Sequence, residues 1–264
     1  MYKILTIAGS DSGGGAGIQA DIKTITILGG YAASVLTSIT AQNTLGVQGV
    51  HNLPGEFIEK QLDSVLSDIK IDAAKTGMLA NAEIIKTVAT KVKQYGLSKL
   101  VVDPVMVATS GDILLEKDAI DSLMKLLLPL AYVVTPNISE AKVLTGKEIN
   151  DIEQMKDAAR KIYEYGPKHV LIKGGHLLND AIDILYDGHN YYEFIAKRIE
   201  TTNTHGTGCT LSAAIATYLG MQFSIEKAVE LAKQYLTKAL DAGKEISIGR
   251  GNGPVNHLYC LNYK

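Results

Sequence analysis

The sequence predicts an α/β fold, a doubly wound sandwich with a mostly parallel sheet and a late antiparallel hairpin at one edge. Three observations lead to this prediction. Short apolar runs of strand length alternate with amphipathic runs of helix length along the whole chain. Polar or glycine-rich loops follow the predicted strands, which is where open α/β sheets place their chemistry. Residues 187–190 (Asp-Gly-His-Asn) separate two β-rich runs, as a hairpin turn does.

Each element follows from a local pattern. Residues 4–8 form an apolar run that stops at a glycine loop, as a buried strand does. Ile18, Ile22, Ile25 and Leu28 then mark one face of a helix that closes at two glycines. The same reasoning predicts β-rich segments at 31–39, 47–53, 71–75, 100–102, 132–134, 169–172, 181–186 and 191–196, and helices at 57–69, 82–95, 119–128, from 137, 152–165, 210–219 and 225–243. The small, polar segment 107–112 is expected to be a mobile flap.

Composition restricts the class of protein. The chain has 264 residues, of which 46% are hydrophobic and 20% charged, so a sizeable core is expected. Its unbroken strand–helix alternation favours one domain over residues 1–264. The net charge is −2 without a basic cluster, which makes nucleic acid an unexpected partner. Cys209 and Cys260 form no metal or disulfide framework, and no run has the length of a signal-peptide core or a membrane span, so a cytoplasmic location is expected.

Residues 203–212 are the strongest candidate site. Gly206 and Gly208 stand directly before an apolar helical run, so free backbone N–H groups should gather at the positive end of a helix dipole. Such a place binds anions, and phosphate above all. Cys209 falls on the first turn, where the pKa of its thiol is expected to be lowered. The alternative interpretation is a glycine turn into a buried helix whose cysteine only packs.

Other polar residues lie beside predicted strand ends. The glycine loop 9–17 has neither the Lys-Ser/Thr of a P-loop nor GxGxxG spacing, but it lets a substrate approach the backbone. Asp21, one helical turn further on, either faces that loop or is a solvated carboxylate. Gln42 either reads the donor and acceptor pattern of a heterocycle or caps a turn.

Two more strand ends carry candidates. Asp103 follows the strand at 100–102, at the edge where open α/β sheets bind ligands. Asn137 and Glu140 form the pattern of a helix capping box, and that structural interpretation suffices by itself.

Taken together, the motifs resemble the hydroxymethylpyrimidine/phosphomethylpyrimidine kinases of thiamine biosynthesis, within the ribokinase-like superfamily. The motifs that carry the resemblance occur in order at 8–21, 41–44, 103–106, 135–141, 173–176 and 205–212. Each motif alone is weakly specific, but six in this order cover nearly the whole chain. The resemblance implies a three-layer α/β/α sandwich, a homodimer, and two ATP-dependent phosphorylations: of 4-amino-5-hydroxymethyl-2-methylpyrimidine, then of its monophosphate to the diphosphate.

The resemblance also implies roles for individual residues. Gln42 and Asp21 would bind the aminopyrimidine, and Gly9 and Met78 would line its pocket. A second set of residues would hold the nucleotide and its Mg²⁺, and within it Glu140 and Asp103 would serve the metal. The set comprises Asn137, Glu140, Asp103, Lys173, Gly208 and Lys233.

The transfer centre would be the 205–209 stretch. The backbone N–H groups of Gly206, Thr207, Gly208 and Cys209 would receive the charge on the transferred phosphoryl group. In the wider superfamily an aspartate base stands where this chain has Cys209. Cys209 is therefore expected to be the base, with His205 as its partner or as an orienting residue.

Two alternative functions stay open at this stage. A close subgroup with the same motifs acts as pyridoxal kinase, but it most often carries a second cysteine in its flap, where this chain has Ala108. The other alternative is a non-catalytic sensor of a vitamin precursor that has kept the fold. Asn137, Glu140 and Lys173 argue against a sensor, which has no need of transfer machinery.

Overall fold

A computed structural model of the chain describes residues 1–106, 117–175 and 180–261. The predicted flap at 107–112, Ala108 and His176 lie outside these residues. The strands and helices follow one another as β1 Lys3–Ala8, α1 Gly17–Ile27, β2 Tyr31–Leu36, β3 Ser38–Asn43, β4 Gly46–Asn52, α2 Gly55–Leu66, β5 Ala73–Thr76, α3 Ala82–Tyr95, β6 Leu100–Val102, α4 Lys117–Ser122, β7 Val133–Val134, α5 Ile138–Thr145, α6 Ile152–Tyr163, β8 Val170–Ile172, β9 Ala181–Tyr186, β10 Tyr191–Ala196, α7 Thr207–Gly220 and α8 Ile225–Gly243.

The main sheet has the strand order β10-β9-β8-β7-β6-β5-β1-β2. In this sheet, β8, β7, β6, β5, β1 and β2 pair in parallel. The edge strands β9 and β10 form an antiparallel hairpin, and β9 also pairs antiparallel with β8. The predicted doubly wound sheet and its edge hairpin are therefore confirmed. The chain leaves β1 for β2 on one side and returns to β5 on the other, so β1 and β5 flank the switch point where such sheets bind ligands.

Two hydrophobic layers cover the sheet. Leu100 and Val102 of β6 face the layer that helices α2 to α6 build, while Val101 faces the layer of α1, α7 and α8. Because side chains alternate along a strand, both faces of these fully buried strands must be apolar. The result is the three-layer α/β/α sandwich that the resemblance implies.

One predicted segment divides into two strands. Residues 31–39 were expected to be a single β-rich stretch, but Tyr31–Leu36 joins the main sheet and Ser38–Asn43 pairs with β4 in a separate two-stranded sheet. Thr37, fully buried between them, donates from its backbone N–H to Ala8 and from its hydroxyl to the Met78 carbonyl, at 3.0 and 2.7 Å. These bonds hold the change of direction, which local periodicity does not reveal.

The predicted helix at 119–128 is also different. The chain runs through α4, a π-helical turn at Leu123–Leu127 and a 3₁₀ turn at Leu128–Leu130 that contains Pro129. Proline at the start of the short turn needs no N–H partner, so it sits inside a helical segment instead of following one. Among the helices of the described residues, none is long and apolar enough to cross a membrane.

Two neighbouring glycines after β8 provide a test of the packing. A Cβ on Gly174 would overlap the backbone carbonyl oxygen of Ile182, whereas a Cβ on Gly175 would meet no atom of the described residues within 4 Å. We expect Gly174→Ala to lower the free energy of unfolding by more than about 2 kcal/mol, because backbone must move. Gly175→Ala should change it by less than about 0.5 kcal/mol. Urea unfolding of both variants measures the difference, and equal losses would contradict this packing.

Candidate active site

Five predicted site residues lie at one edge of the main sheet. Gly9 follows β1, Met78 follows β5, Asp103 follows β6, Asn137 follows β7 and Lys173 follows β8. Because these strands are parallel, their carboxyl ends form a continuous row beside the switch point. The parallel sheet thus brings together residues that are far apart in sequence.

The glycine loop 9–17 is folded around the carboxylate of Asp11. Its oxygens accept hydrogen bonds from the backbone N–H groups of Gly13, Gly15 and Ala16 at 2.8, 2.9 and 2.8 Å. Burial would raise the pKa of Asp11, but the bond from His205 and these amides hold it below its ordinary value. Sequence analysis did not single out Asp11; a short acidic residue opening a glycine run is the signal that was available.

His205 belongs to this loop network. Its Nε2 donates to Asp11 Oδ2 at 2.8 Å, and within the described residues it makes no hydrogen bond to Cys209. The expectation that His205 is the partner of Cys209 is therefore wrong for this structure. The geometry instead supports the other predicted role, in which His205 orients the 205–209 stretch against the glycine loop.

The start of α7 has the form of an anion site. Gly206 has a φ of +78°, and a Cβ there would overlap the carbonyl oxygen of Gly15, so the position requires glycine. Thr207 donates its backbone N–H to the Thr204 carbonyl at 3.3 Å. In the described part of the chain, the backbone N–H groups of Gly206, Gly208 and Cys209 have no hydrogen-bond partner and can receive an anion.

The thiol of Cys209 is more basic than predicted. Burial raises its pKa to about 11, with the carboxylates of Asp21 and Asp103 acting in the same direction. The Lys75 ammonium and a hydrogen bond from the backbone of Gly17 oppose this rise without overcoming it. The prediction that the helix start lowers the pKa is therefore wrong for the unliganded chain, since desolvation outweighs the nearby positive charge.

A buried ion pair that the sequence did not reveal lies beneath the cleft. Lys75 Nζ is 2.9 Å from each carboxylate oxygen of Asp21, and both side chains are fully buried. Thr6 donates its hydroxyl to Asp21 at 2.6 Å. Asp21 is thus not a solvated carboxylate, and its direct contact with a substrate held by the glycine loop stays a prediction. Burial would lower the pKa of Lys75, but Asp21 raises it well above its ordinary value.

A second pair, of buried Asp103 and partly buried Lys173, lies under the start of α7. Lys173 Nζ is 2.9 Å from Asp103 Oδ1, while Ser212 of α7 donates its hydroxyl to Asp103 Oδ2 at 3.1 Å. A Cβ on Gly208 would lie 3.4 Å from Lys173 Nζ, so α7 begins directly over this ammonium. The Lys173 and Lys75 charges hold the pKa of Asp103 below its ordinary value against the effect of burial. Asp103 therefore remains an anion that fixes Lys173.

Glu140 is the most available carboxylate for a metal ion. Asn137 and Glu140 form the predicted capping box, with bonds of 2.7 and 2.9 Å. Burial raises the pKa of Glu140 to about 7, although Lys173 opposes that rise. No cluster of three or more His, Cys, Asp or Glu side chains suited to a metal occurs in the described ranges. One carboxylate beside phosphates and water fits Mg²⁺, which rarely takes an all-protein cage.

The predicted pyrimidine pocket lies at the other end of the row. A Cβ on Gly9 would be 3.3 Å from Met78 Sδ, so these two predicted lining residues are neighbours. Gln42 lies on β3 at a bulge that redirects its side chain. Thr40 donates to Gln42 Oε1 at 3.2 Å, and within the described residues Gln42 Nε2 has no partner. The amide can therefore offer both a donor and an acceptor to a heterocycle.

A groove of about 590 Å³ runs between β10 and α8, with Phe194, Lys233 and Thr237 among its lining residues. Lys233 Nζ is 2.6 Å from Asp183 Oδ2, and the side chain is mostly buried. Its charge is thus neutralised by Asp183, and its predicted place near a nucleotide rests on its position in the groove.

Comparison with known families gives a consistent result. A family model described as phosphomethylpyrimidine kinase matches residues 11–256. The chain is 53% identical over 256 residues to a thiamine biosynthesis bifunctional protein of Geobacter sulfurreducens, covering 97% of this chain and 52% of that protein. It is 46% identical over 260 residues to a hydroxymethylpyrimidine/phosphomethylpyrimidine kinase of Bacillus subtilis, covering 98% and 95%. The chain spans about half the length of the bifunctional relatives it matches.

Two solved structures are similar to the whole fold. A phosphomethylpyrimidine kinase from Clostridium difficile gives a TM-score of 0.82 at 46% identity, covering 91% of this chain and all of that chain (100%). An ADP complex of Bacillus subtilis pyridoxal kinase gives 0.91 at 38% identity, covering 99% and 100%. The ribokinase-like fold is therefore confirmed, and backbone similarity alone does not separate the two kinds of kinase.

The buried pair beneath the cleft leads to a prediction about stability. Lys75→Met leaves the Asp21 carboxylate buried without its partner, so we expect the free energy of unfolding to fall by about 3–5 kcal/mol. Lys125→Met, which breaks a pair whose two side chains are each 72% exposed, should cost less than about 1 kcal/mol. Chemical denaturation measures both. A Lys75 variant as stable as the Lys125 variant would show that the pair contributes little.

Proposed function

The chain belongs to the phosphomethylpyrimidine kinase family, and we propose that it phosphorylates 4-amino-5-hydroxymethyl-2-methylpyrimidine with ATP, and then phosphorylates the monophosphate to the diphosphate for thiamine biosynthesis. The observation that carries the proposal is the start of α7. Its unpartnered amides lie over the Lys173 ammonium. Transfer of a phosphoryl group needs such fixed positive charge more than it needs covalent chemistry.

The alcohol would occupy the pocket at the end of β1 and β5. The free Nε2 of Gln42 would donate to a ring nitrogen, and its Oε1 would accept from the exocyclic amino group. Met78 and Gly9 would form the apolar wall. Asp21 would act indirectly, because its carboxylate holds Lys75 under Cys209 instead of reaching the pyrimidine ring.

The nucleotide would lie on the other side of α7. Its purine would enter the groove beside Lys233, and its phosphates would meet Lys173 and Asn137. Mg²⁺ would be held by Glu140 and the phosphates, with Asp103 supporting the site through Lys173; when bound, the ion neutralises charge on the transferred group. A bound cation would lower the pKa of Glu140, which burial raises to about 7, and so favour the carboxylate that holds it.

The thiolate form of Cys209, generated when the thiol loses its own proton to solvent, would accept the proton of the alcohol and return to the neutral thiol. This thiolate is scarce at neutral pH because burial raises the pKa of Cys209 to about 11. The positive charge of Lys75 favours the thiolate before the transfer. Proton transfer and anion binding then occur on one helical turn, since the backbone N–H of the same residue belongs to the anion site.

A pyridoxal kinase is the second candidate function. The observation in its favour is the TM-score of 0.91 with the Bacillus subtilis pyridoxal kinase. Sequence identity points to the pyrimidine kinase, because 46% with the Bacillus subtilis hydroxymethylpyrimidine/phosphomethylpyrimidine kinase exceeds 38% with that pyridoxal kinase.

We also propose that the chain is a cytoplasmic homodimer. Both cysteines are free, as a reducing compartment favours. Ile39 on the two-stranded β3–β4 sheet is 47% exposed, and such an apolar position suits a contact with a second copy. Light scattering that gave the 28.3 kDa mass of one chain would rule out the dimer.

A substrate panel tests the function. The purified chain is supplied with Mg-ATP and, separately, the aminopyrimidine alcohol, its monophosphate and pyridoxal, and both ADP and the phosphorylated product are quantified. We expect turnover of both pyrimidines with a higher kcat/KM than for pyridoxal. A kcat/KM about tenfold higher for pyridoxal, worth 1.4 kcal/mol of transition-state binding, would establish the second candidate. Absence of ADP with all three would favour the non-catalytic sensor.

The role of Cys209 predicts a pH dependence. The thiolate fraction grows as the pH approaches about 11, so kcat/KM of the wild type should rise with pH above neutrality. Cys209→Ala should lose that rise and lower kcat by about 100-fold while KM changes little. Steady-state kinetics between neutral and alkaline pH measure both effects. An unchanged kcat, or the same pH profile in Cys209→Ala, would remove the thiol from the mechanism.

A further inference from the structure

The segment 249–254, Gly-Arg-Gly-Asn-Gly-Pro, lies against two parts of the site. Its three glycines contact other backbone or side-chain atoms so closely that a Cβ on any of them would overlap a neighbour. For Gly249 and Gly251 the neighbour is Thr44, and for Gly253 it is Asn203. Thr44 follows β3, two residues after Gln42, and Asn203 begins the 203–209 stretch. The spacing of the glycines therefore lets the segment 249–254 lie between Thr44 and Asn203.

The contact with Thr44 is a hydrogen-bonded anchor. Thr44 Oγ1 accepts the backbone N–H groups of Arg250 and Gly251 at 3.2 and 3.1 Å. Thr44 stands in the turn between β3 and β4, and a two-stranded sheet is marginally stable on its own. The position of this hairpin therefore depends on what its end is attached to.

The contact with the 203–209 stretch has a similar form. His205 donates its backbone N–H to the Gly253 carbonyl at 3.0 Å. Asn203 Nδ2 donates to the carbonyls of Gly243 and Ile246, each at 2.8 Å. The loop that leads into the anion site is thus held by the end of the chain as well as by Asp11.

Two further contacts close a ring. The glycine loop is joined to the hairpin by Ser12, whose hydroxyl donates to the Gln42 carbonyl and accepts the Gln42 N–H, both at 2.8 Å. It is joined to the 203–209 stretch by the pair of Asp11 and His205. Four segments, residues 9–17, 38–52, 203–209 and 249–254, therefore contact one another in a circle, which we call the site ring.

We propose that residues 249–254 are a positioning element that closes the site ring and sets the distance between the alcohol held by Gln42 and the amides at the start of α7. This inference rests on the proposed function. Transfer requires the alcohol oxygen to be held near the attacking distance, and small misplacements reduce the rate. The hydrogen bonds that tie this segment to the other parts of the ring go to Thr44 and His205, so it acts through those two residues.

Thr44 offers a matched pair of variants. Thr44→Val removes the acceptor of two backbone N–H groups and keeps the shape, whereas Thr44→Ser keeps the hydroxyl. Loss of two hydrogen bonds should raise KM for the aminopyrimidine alcohol by about fivefold or more. KM for ATP should stay within about twofold, because the hydroxyl of Thr44 bonds to Arg250 and Gly251, which are not among the residues proposed to hold the nucleotide. Thr44→Ser should behave as the wild type. The melting temperatures of both variants should agree with that of the wild type within about 3 °C.

Hydrogen exchange of the unliganded chain tests the site ring without any measurement of activity. Thr44→Val should speed amide exchange by about threefold or more in residues 9–17 and 203–209 as well as in the hairpin. Gln48→Ala is the control, because among the described residues the side-chain amide of Gln48 donates within the hairpin, to Gly46 and Asn43 at 2.8 and 3.5 Å. It should change exchange in residues 38–52 alone.

Three results would overturn the proposal. The first is a change of exchange in Thr44→Val that is confined to the hairpin, as expected for Gln48→Ala. The second is a KM for the alcohol that is unaltered in Thr44→Val or equally raised in Thr44→Ser. The third is a KM for ATP that rises in parallel with that for the alcohol. A wild type that phosphorylates none of the alcohols would refute the proposed function instead, and the exchange experiment would still decide whether the ring exists.

Discussion

The buried ion pair of Lys75 and Asp21 is the interaction on which the rest of the site depends. It joins β5 to α1 across β1, at the switch point of the sheet, where Thr6 completes its hydrogen bonds. Charges so far from water persist only when each has a partner, so the pair fixes the relative positions of three elements. It also places a positive charge beneath Cys209, where no solvent screens it.

Charges of alternating sign extend from this pair along the row of strand ends. Asp103 lies between the ammonium groups of Lys75 and Lys173, and Glu140 follows beyond Lys173. Asp21 orients Lys75 and Asp103 orients Lys173, whose ammonium lies under the start of α7. The glycines of the 9–17 loop instead fold around Asp11.

The fold was largely predictable because parallel strands buried on both faces and amphipathic helices leave clear periodic patterns. The edge hairpin was predicted with its observed bounds, 181–186 and 191–196, because a polar turn separates two β-rich runs. The second hairpin was not, since the break between β2 and β3 at Thr37 is held by tertiary hydrogen bonds that no local pattern records.

The motifs gathered at the cleft were also predictable, but the partners of their charged groups were not. Lys75 reads as an ordinary strand residue, and only the fold shows that it meets Asp21. Desolvation has no sequence signal either, so the pKa of Cys209 was predicted with the wrong sign. His205 was assigned to the neighbour four positions along the chain, yet its partner Asp11 is 194 positions away.

That last separation has a consequence for how the protein is made. The glycine loop meets residue 205, and the turn after β3 meets residues that are 206 and 207 positions later in the chain. Contacts over such distances carry the largest loop-closure entropy and form late in folding. A ribosome must therefore release the chain as far as residues 249–254 before the four segments of the site ring can all meet. The cleft is thus enclosed only after the last segment that contributes to it has been made, however early the sheet beneath it forms.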